Sequence, residues 1–133
     1  MQPILHLSLP VRDLAESKRF YTDVLGCEIG RERESWLDVW FFGMQVTLHQ
    51  APDELAADEG AGHRHFGVTL PSAELDEVLA RVEGHGVAWS SPPRTDYEGT
   101  EREQRKAMIL DPSGHAIELK TYRDPDTAFR GAR

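Results

Sequence analysis

Two histidines and one glutamate carry the chemistry this chain could do. His6 and His65 each stand near the start of an alternating run, and Glu118 falls four residues after Gly114 in the run Asp111-Pro112-Ser113-Gly114-His115-Ala116-Ile117-Glu118. Two imidazoles and one carboxylate form the donor set of a mononuclear divalent-metal centre with open positions. One such histidine would be read most simply as a satisfied core or edge residue. Two at matching places, with a carboxylate in phase, point to metal ligands.

Residues 4–9 alternate strictly, with Leu5, Leu7 and Leu9 on one face and His6 and Ser8 on the other. Asp13 then caps a helix with Glu16 in the capping-box position, Leu14, Phe20, Tyr21, Val24 and Leu25 form its apolar stripe, and Gly26 ends it. Strand patterns follow at 27–31, 35–42 and 44–50, with Gly43 as the sharpest turn signal. The second half repeats the plan: a strand at 65–70, and a helix opened by Ser72 with Leu75, Val78, Leu79 and Val82 at helical spacing. Strands at 87–91, 105–110 and 115–122 complete it. The charged stretch 92–104 reads as a long loop, and long loops in compact domains are usually functional. It is expected to act as a mobile cover, with Tyr97 and either Arg94 or Arg102 reaching a ligand.

The expected fold is α+β: two tandem βαβββ modules, at 3–50 and 63–123, forming a curved, barrel-like sheet around a metal site. They join through a polar linker at 51–62 into a single domain over 1–123, with a polar tail at 124–133. The punctuation of the halves agrees. His6 overlays His65, Gly26 matches Gly86, and Gly43 to Thr47 overlays Gly114 to Glu118. Alternation puts His6, Ser8, Thr47, His49, His65, Thr69, Glu118 and Lys120 on a polar concave side. Leu7, Leu9, Val46, Leu48, Phe66, Val68, Ile117 and Leu119 face the helices. From that side Ser8, Thr47 and Lys120, together with Tyr97, are the candidate substrate-binding residues.

The 133 residues suffice to bury a core, and a net charge of −8 argues against nucleic-acid or anionic-membrane binding. Cys27 is the single cysteine, so a disulfide framework is excluded and a reducing compartment is expected. With no apolar span and no basic-then-apolar start, the expected location is cytoplasmic. His63, His85 and His115 read as surface or structural residues, and Cys27 as a small buried filler.

The chain resembles the vicinal oxygen chelate superfamily of glyoxalases, bleomycin-resistance proteins, fosfomycin-resistance thiol transferases and extradiol dioxygenases. The resemblance spans roughly residues 4–122. It rests on His6-Leu7-Ser8-Leu9-Pro10-Val11-Arg12-Asp13-Leu14, Phe20-Tyr21, Leu25-Gly26, His65-Phe66-Gly67-Val68, Leu110-Asp111-Pro112-Ser113-Gly114 and Glu118. It implies that His6, His65 and Glu118 bind one divalent metal ion. Fe(II) is favoured, with Mn, Ni or Zn compatible with the same donors.

Departures from the family pattern narrow the activity. Thr47 stands where glyoxalase I has a fourth, glutamate ligand, and Met108 stands where ring-cleaving and fosfomycin-type enzymes place a tyrosine. The histidine that the extradiol pattern places upstream of that tyrosine falls in a region occupied here by 99–105. His49 lies near the place of the extradiol catalytic base, and is as readily an exposed strand-end residue. The expectation is a metal-dependent enzyme whose small substrate chelates the ion through adjacent oxygens, with dioxygenase-like chemistry slightly favoured. The alternatives are a glyoxalase-like lyase or isomerase, a thiol transferase, or a metal-free drug-binding module. Free sheet edges further suggest a homodimer, in which the metal site is built within one chain or across two.

Overall fold

The computed structural model describes residues 1–56 and 63–129. Its strands form two open four-stranded mixed sheets that are not closed into a barrel, and the chain divides into two compact units.

The first unit comprises Met1–Ala61 together with Asp111–His115. It holds β1 (His6–Val11), α1 (Leu14–Arg19), β2 (Glu28–Glu32), β3 (Trp36–Phe41) and β4 (Met44–Gln50). The sheet order is β1-β4-β3-β2, with β1 parallel to β4 and the other pairs antiparallel. Asp13 is extended and its carboxylate accepts from the Glu16 N–H, so α1 starts where its cap predicts. The Glu16 side chain does not complete the capping box; it pairs with Arg12 at 2.7 Å. A single π-helical turn, Phe20–Val24, extends α1, and Gly26 at φ 71° ends it.

The apolar face of this sheet contributes Leu37, Val39, Phe41, Val46 and Leu48, all almost wholly buried against Leu14, Tyr21, Val24 and Leu25. Tyr21 is fully buried, and its hydroxyl donates to Asp111 Oδ2 at 2.8 Å. Burial first, and then the Asp111 carboxylate, push the Tyr21 phenol well above its usual range. The other Asp111 oxygen accepts from the N–H groups of Ser113 and His115. The His115 ring reaches the Pro10 carbonyl at 2.5 Å, and Ser113 Oγ accepts from the Arg12 N–H. These bonds fasten the Asp-Pro-Ser-Gly turn to the first unit although the tandem boundaries assign it to the second half. His115 is thus structural.

The second unit holds β5 (Phe66–Thr69), α2 (Ser72–Gly84), β6 (Trp89–Asp96), β7 (Gln104–Leu110) and β8 (Ala116–Tyr122). Its order, β5-β8-β7-β6, repeats that of the first, with β5 parallel to β8. Leu75, Val78 and Val82 bury one stripe of α2 against a face carrying Ala107, Ile109, Ile117 and Leu119.

Three expectations need correction. β1 begins at His6 rather than at residue 4, and Leu5 is exposed. The stretch 92–104 is not a long loop: β6 runs through Pro92 and Pro93 to Asp96, leaving a short connection to Gln104. β6 is an edge strand whose pairing with β7 slips twice, between Trp89 and Ser91 and between Ser91 and Arg94. At an edge or a bulge a missing proline N–H removes no ladder bond, so the prolines do not break the strand. Tyr97 then sits at φ 54° in the tight connection with Arg102 over its ring at 5.1 Å, and Arg94 is held by Asp96 and Ser91. A mobile cover through Tyr97, Arg94 or Arg102 has no basis in this hairpin. Residues 57–62 of the linker and 130–133 of the tail lie outside the described residues.

Candidate metal centre

Alternation along the strands delivers the polar residues to one face of each sheet, as the residue pattern predicts. In the first unit Ser8 pairs with Thr47 and Thr47 with Asp38; in the second, Gly67 pairs with Glu118 and Glu118 with Met108. Counting back two residues along each parallel strand reaches His6 and His65. The internal register of the two halves is therefore the same.

In the second unit, His65 immediately precedes β5. Its Nδ1 donates to the His63 carbonyl at 2.9 Å, which leaves the Nε2 lone pair available. That Nε2 lies 3.8 Å from Glu118 Oε2. With ligand distances of about 2.0–2.2 Å, two donors of one ion can stand this far apart. Glu118 is partly buried, and its other oxygen meets Lys120 Nζ at 3.2 Å. Burial by itself would lower the Lys120 ammonium, but Glu118 and Tyr122 outweigh it and raise it. A recess of about 210 Å³ opens here, lined by His65, Gly67, Thr69, Glu118 and Lys120 among others.

Gly67 is needed at this point. A Cβ there would come within 2.0 Å of the Glu118 carbonyl oxygen, so β5 can lie against β8 only with glycine. The run His65-Phe66-Gly67 holds the signal, a glycine interrupting an alternating strand.

In the first unit, His6 is exposed at the head of β1, and its Nδ1 donates to the Gln45 carbonyl at 3.2 Å. It too presents Nε2. Both histidines thus have the tautomer-fixing backbone bond common to metal-bound imidazoles. Among the described residues no three His, Cys, Asp or Glu side chains cluster as a metal-binding group.

The remaining candidates are distributed as follows. Ser8 and Thr69 are exposed on the polar faces, and His49 is exposed with its ring 6.4 Å from that of Trp36. Thr47 is buried and donates its hydroxyl to Asp38 Oδ1 at 2.7 Å. Tyr97 is exposed in the β6–β7 connection. His63 and His85 are exposed, and Cys27 is buried.

Asp38, which holds the candidate Thr47, is a polar-face carboxylate that the sequence reading missed. It is 1% exposed, and its second oxygen takes Arg31 Nε at 2.6 Å and Gln45 Nε2 at 3.2 Å. Burial would raise its carboxyl, but the bonds from Arg31, Thr47 and Gln45 prevail and hold it below the usual carboxylate range. The strand Trp36-Leu37-Asp38-Val39-Trp40-Phe41 contained the signal: one carboxylate in phase with the tryptophans and out of phase with the core residues.

The family model described as Glyoxalase/Bleomycin resistance protein/Dioxygenase superfamily matches residues 3–119, and the chain belongs to that superfamily. A solved glyoxalase/bleomycin resistance protein/dioxygenase from Alicyclobacillus acidocaldarius is 28% identical with a TM-score of 0.84, covering 95% of this chain and 96% of that one. Catechol-2,3-dioxygenase of Bacillus subtilis is 27% identical, over 92% of this chain and 42% of that enzyme. The metallothiol transferase FosB of Staphylococcus saprophyticus is 24% identical, over 91% of this chain and 78% of its own length. Among the described residues no helix is long and apolar enough to cross a membrane.

Proposed function

We propose that the chain is a divalent-metal-dependent enzyme in which His65, Glu118 and His6 hold one ion. Its small substrate chelates that ion through two adjacent oxygens. The observation that carries this reading is the His65–Glu118 pair, whose Nε2 and Oε2 stand 3.8 Å apart at the edge of an open recess. His6 supplies the third donor from the matching register position, in this chain or from a second copy in a homodimer. A bound divalent ion would act as a Lewis acid on substrate oxygens, and Fe(II) is the favoured metal.

The protein's own residues set the rest. The His63 and Gln45 carbonyls hold each imidazole in the tautomer that presents Nε2. Thr47, whose hydroxyl is committed to Asp38, supports a three-ligand set over the four-ligand glyoxalase arrangement, and so dioxygenase-like over isomerase chemistry. His49, exposed on the polar face of β4, is the proposed base. A thiol-transferase activity is the second reading, favoured by the likeness to the metallothiol transferase FosB.

The test is metal analysis of protein purified anaerobically without chelator. About one divalent ion per His6, His65 and Glu118 set is expected, and its loss in H6A, H65A and E118A alike. Metal bound equally well by all three variants would refute the ligand assignment.

A further inference from the structure

The second sheet carries a row of cations that the metal reading does not use. Thr69, Lys120, Lys106 and Arg94 pair across β5, β8, β7 and β6 on the rung next to Gly67–Glu118–Met108. Residues directly opposite on neighbouring strands share a face, so these three positive side chains project together, beside the recess. In a chain of net charge −8 such a row is out of keeping with its surroundings. Like charges placed directly opposite one another destabilise a sheet unless anions compensate.

The compensation is uneven. Asp96 takes both Lys106 Nζ at 2.9 Å and Arg94 Nε at 3.3 Å. Lys120 is paired with Glu118 at 3.2 Å, the same carboxylate that the proposed metal centre claims. An ion on Glu118 Oε2 and the ammonium on Oε1 would share the charge of one carboxylate. Lys120 is 70% covered and stands opposite a second cation, and an ion bound to Glu118 would draw on the charge that balances it. An anion from outside the chain would restore the balance.

We infer that Lys120, backed by Lys106, receives an anionic group of the substrate. The substrate class is then a vicinal-dioxygen chelator that also bears a carboxylate or a phosphonate. This inference rests on the metal reading above and narrows it. Lys120 has two effects of opposite sign: its charge on Glu118 Oε1 weakens the hold of the carboxylate on a cation, and it strengthens binding of a charged chelator. A lysine serving only to brace Glu118 would weaken both when removed.

The experiment uses the full chain loaded with Mn(II) and three probes: catechol, 3,4-dihydroxybenzoate and 3,4-dihydroxyphenylphosphonate, each titrated by calorimetry. Wild type should bind one or both charged probes about tenfold more tightly than catechol, the size of effect expected of one charge-assisted hydrogen bond. The stronger of the two identifies carboxylate or phosphonate as the group received. K120M should lose that preference and K120R keep most of it, while Mn(II) binds K120M as tightly as wild type or more so. A charge preference that survives in K120M overturns the inference, as does Mn(II) binding weakened in K120M as it is in E118A. If Mn(II) binds wild type and E118A alike, the metal reading fails, and a metal-free arm decides the anion site separately. There, inorganic phosphate is titrated into E118Q and E118Q/K120M. Phosphate binding in the first that is lost in the second supports the lysine site, and equal binding overturns it.

Discussion

One rung of each sheet places a carboxylate on the polar face, and the two rungs put it to different use. In the first unit the rung reads Ser8–Thr47–Asp38, and in the second Gly67–Glu118–Met108. The acid has changed strands, from β3 to β8. Asp38 is buried and accepts from three side chains, so its charge is spent inside the protein. Glu118 is less buried, and among the described residues its side-chain partners are a lysine at 3.2 Å and a neutral-capable imidazole at 3.8 Å. A carboxylate whose acceptor capacity is filled locks a fold, whereas one whose partners are loose can exchange them for a ligand. The same sheet geometry thus yields a brace in one half and a candidate ligand in the other.

The sharpest way to break this contrast is to remove both acids. E118A is expected to abolish metal retention, beyond the roughly 10–100-fold that loss of an outer partner costs, while thermal unfolding of the metal-free protein moves little. D38A should do the reverse, destabilising by about 2–4 kcal/mol because Thr47, Gln45 and the Arg31 contact are stranded together. Calorimetric unfolding and metal analysis on both variants give the comparison. Unfolding of E118A at ordinary temperature would show that Glu118 is a brace as well.

A second effect follows from Gly67, which the first unit replaces with Ser8 at the matching register. A Cβ at Gly67 meets backbone at 2.0 Å, not a side-chain tip that could swing aside, so G67A must push β5 from β8. It should cost about 1–3 kcal/mol as overpacking and, by displacing Glu118, lower metal affinity as well. S8A, by contrast, should be nearly neutral, because Ser8 is exposed. If G67A unfolds and binds metal as wild type does, the close strand approach has nothing to do with the site.

Much of this was legible in the residues, and the failures have physical reasons. Strict alternation around His6 and His65, and glycines at 43 and 114 before equal offsets, located the polar faces and the match between the two halves. The donors and their tautomer-fixing carbonyls are a different matter. Gln45 meets His6 through the backbone, and no side-chain pattern reports that bond. Asp38 was hidden because its run reads as a core strand, and only its phase with Trp36 and Trp40 marks the polar side. The hairpin at 92–104 failed because Pro92-Pro93 is a strong breaker locally, while its edge position, a property of the whole sheet, makes it harmless. His115 and Asp111 fasten to Pro10 and Tyr21 from about a hundred residues away, beyond any local signal.

The smallest effect is one of pH, and it separates the two acids again. Asp38 is held below the ordinary carboxylate range, which means its charged form is favoured by folding. The sign follows: its contribution is fully present above the unfolded carboxyl value of about 3.9, and is lost as pH falls through the lower folded value. D38N keeps the shape but not the charge. It should therefore be less stable than wild type by about 1–2 kcal/mol at neutral pH, the Arg31 partner being largely exposed and screened. That gap should close as pH drops below about 4, because wild type gives up the same interaction by protonation. Urea unfolding of both proteins between neutral and acid pH measures the gap directly. A difference that stays constant with pH would mean that Asp38 braces the sheet by shape and neutral hydrogen bonds alone, and that its ion pair with Arg31 adds nothing.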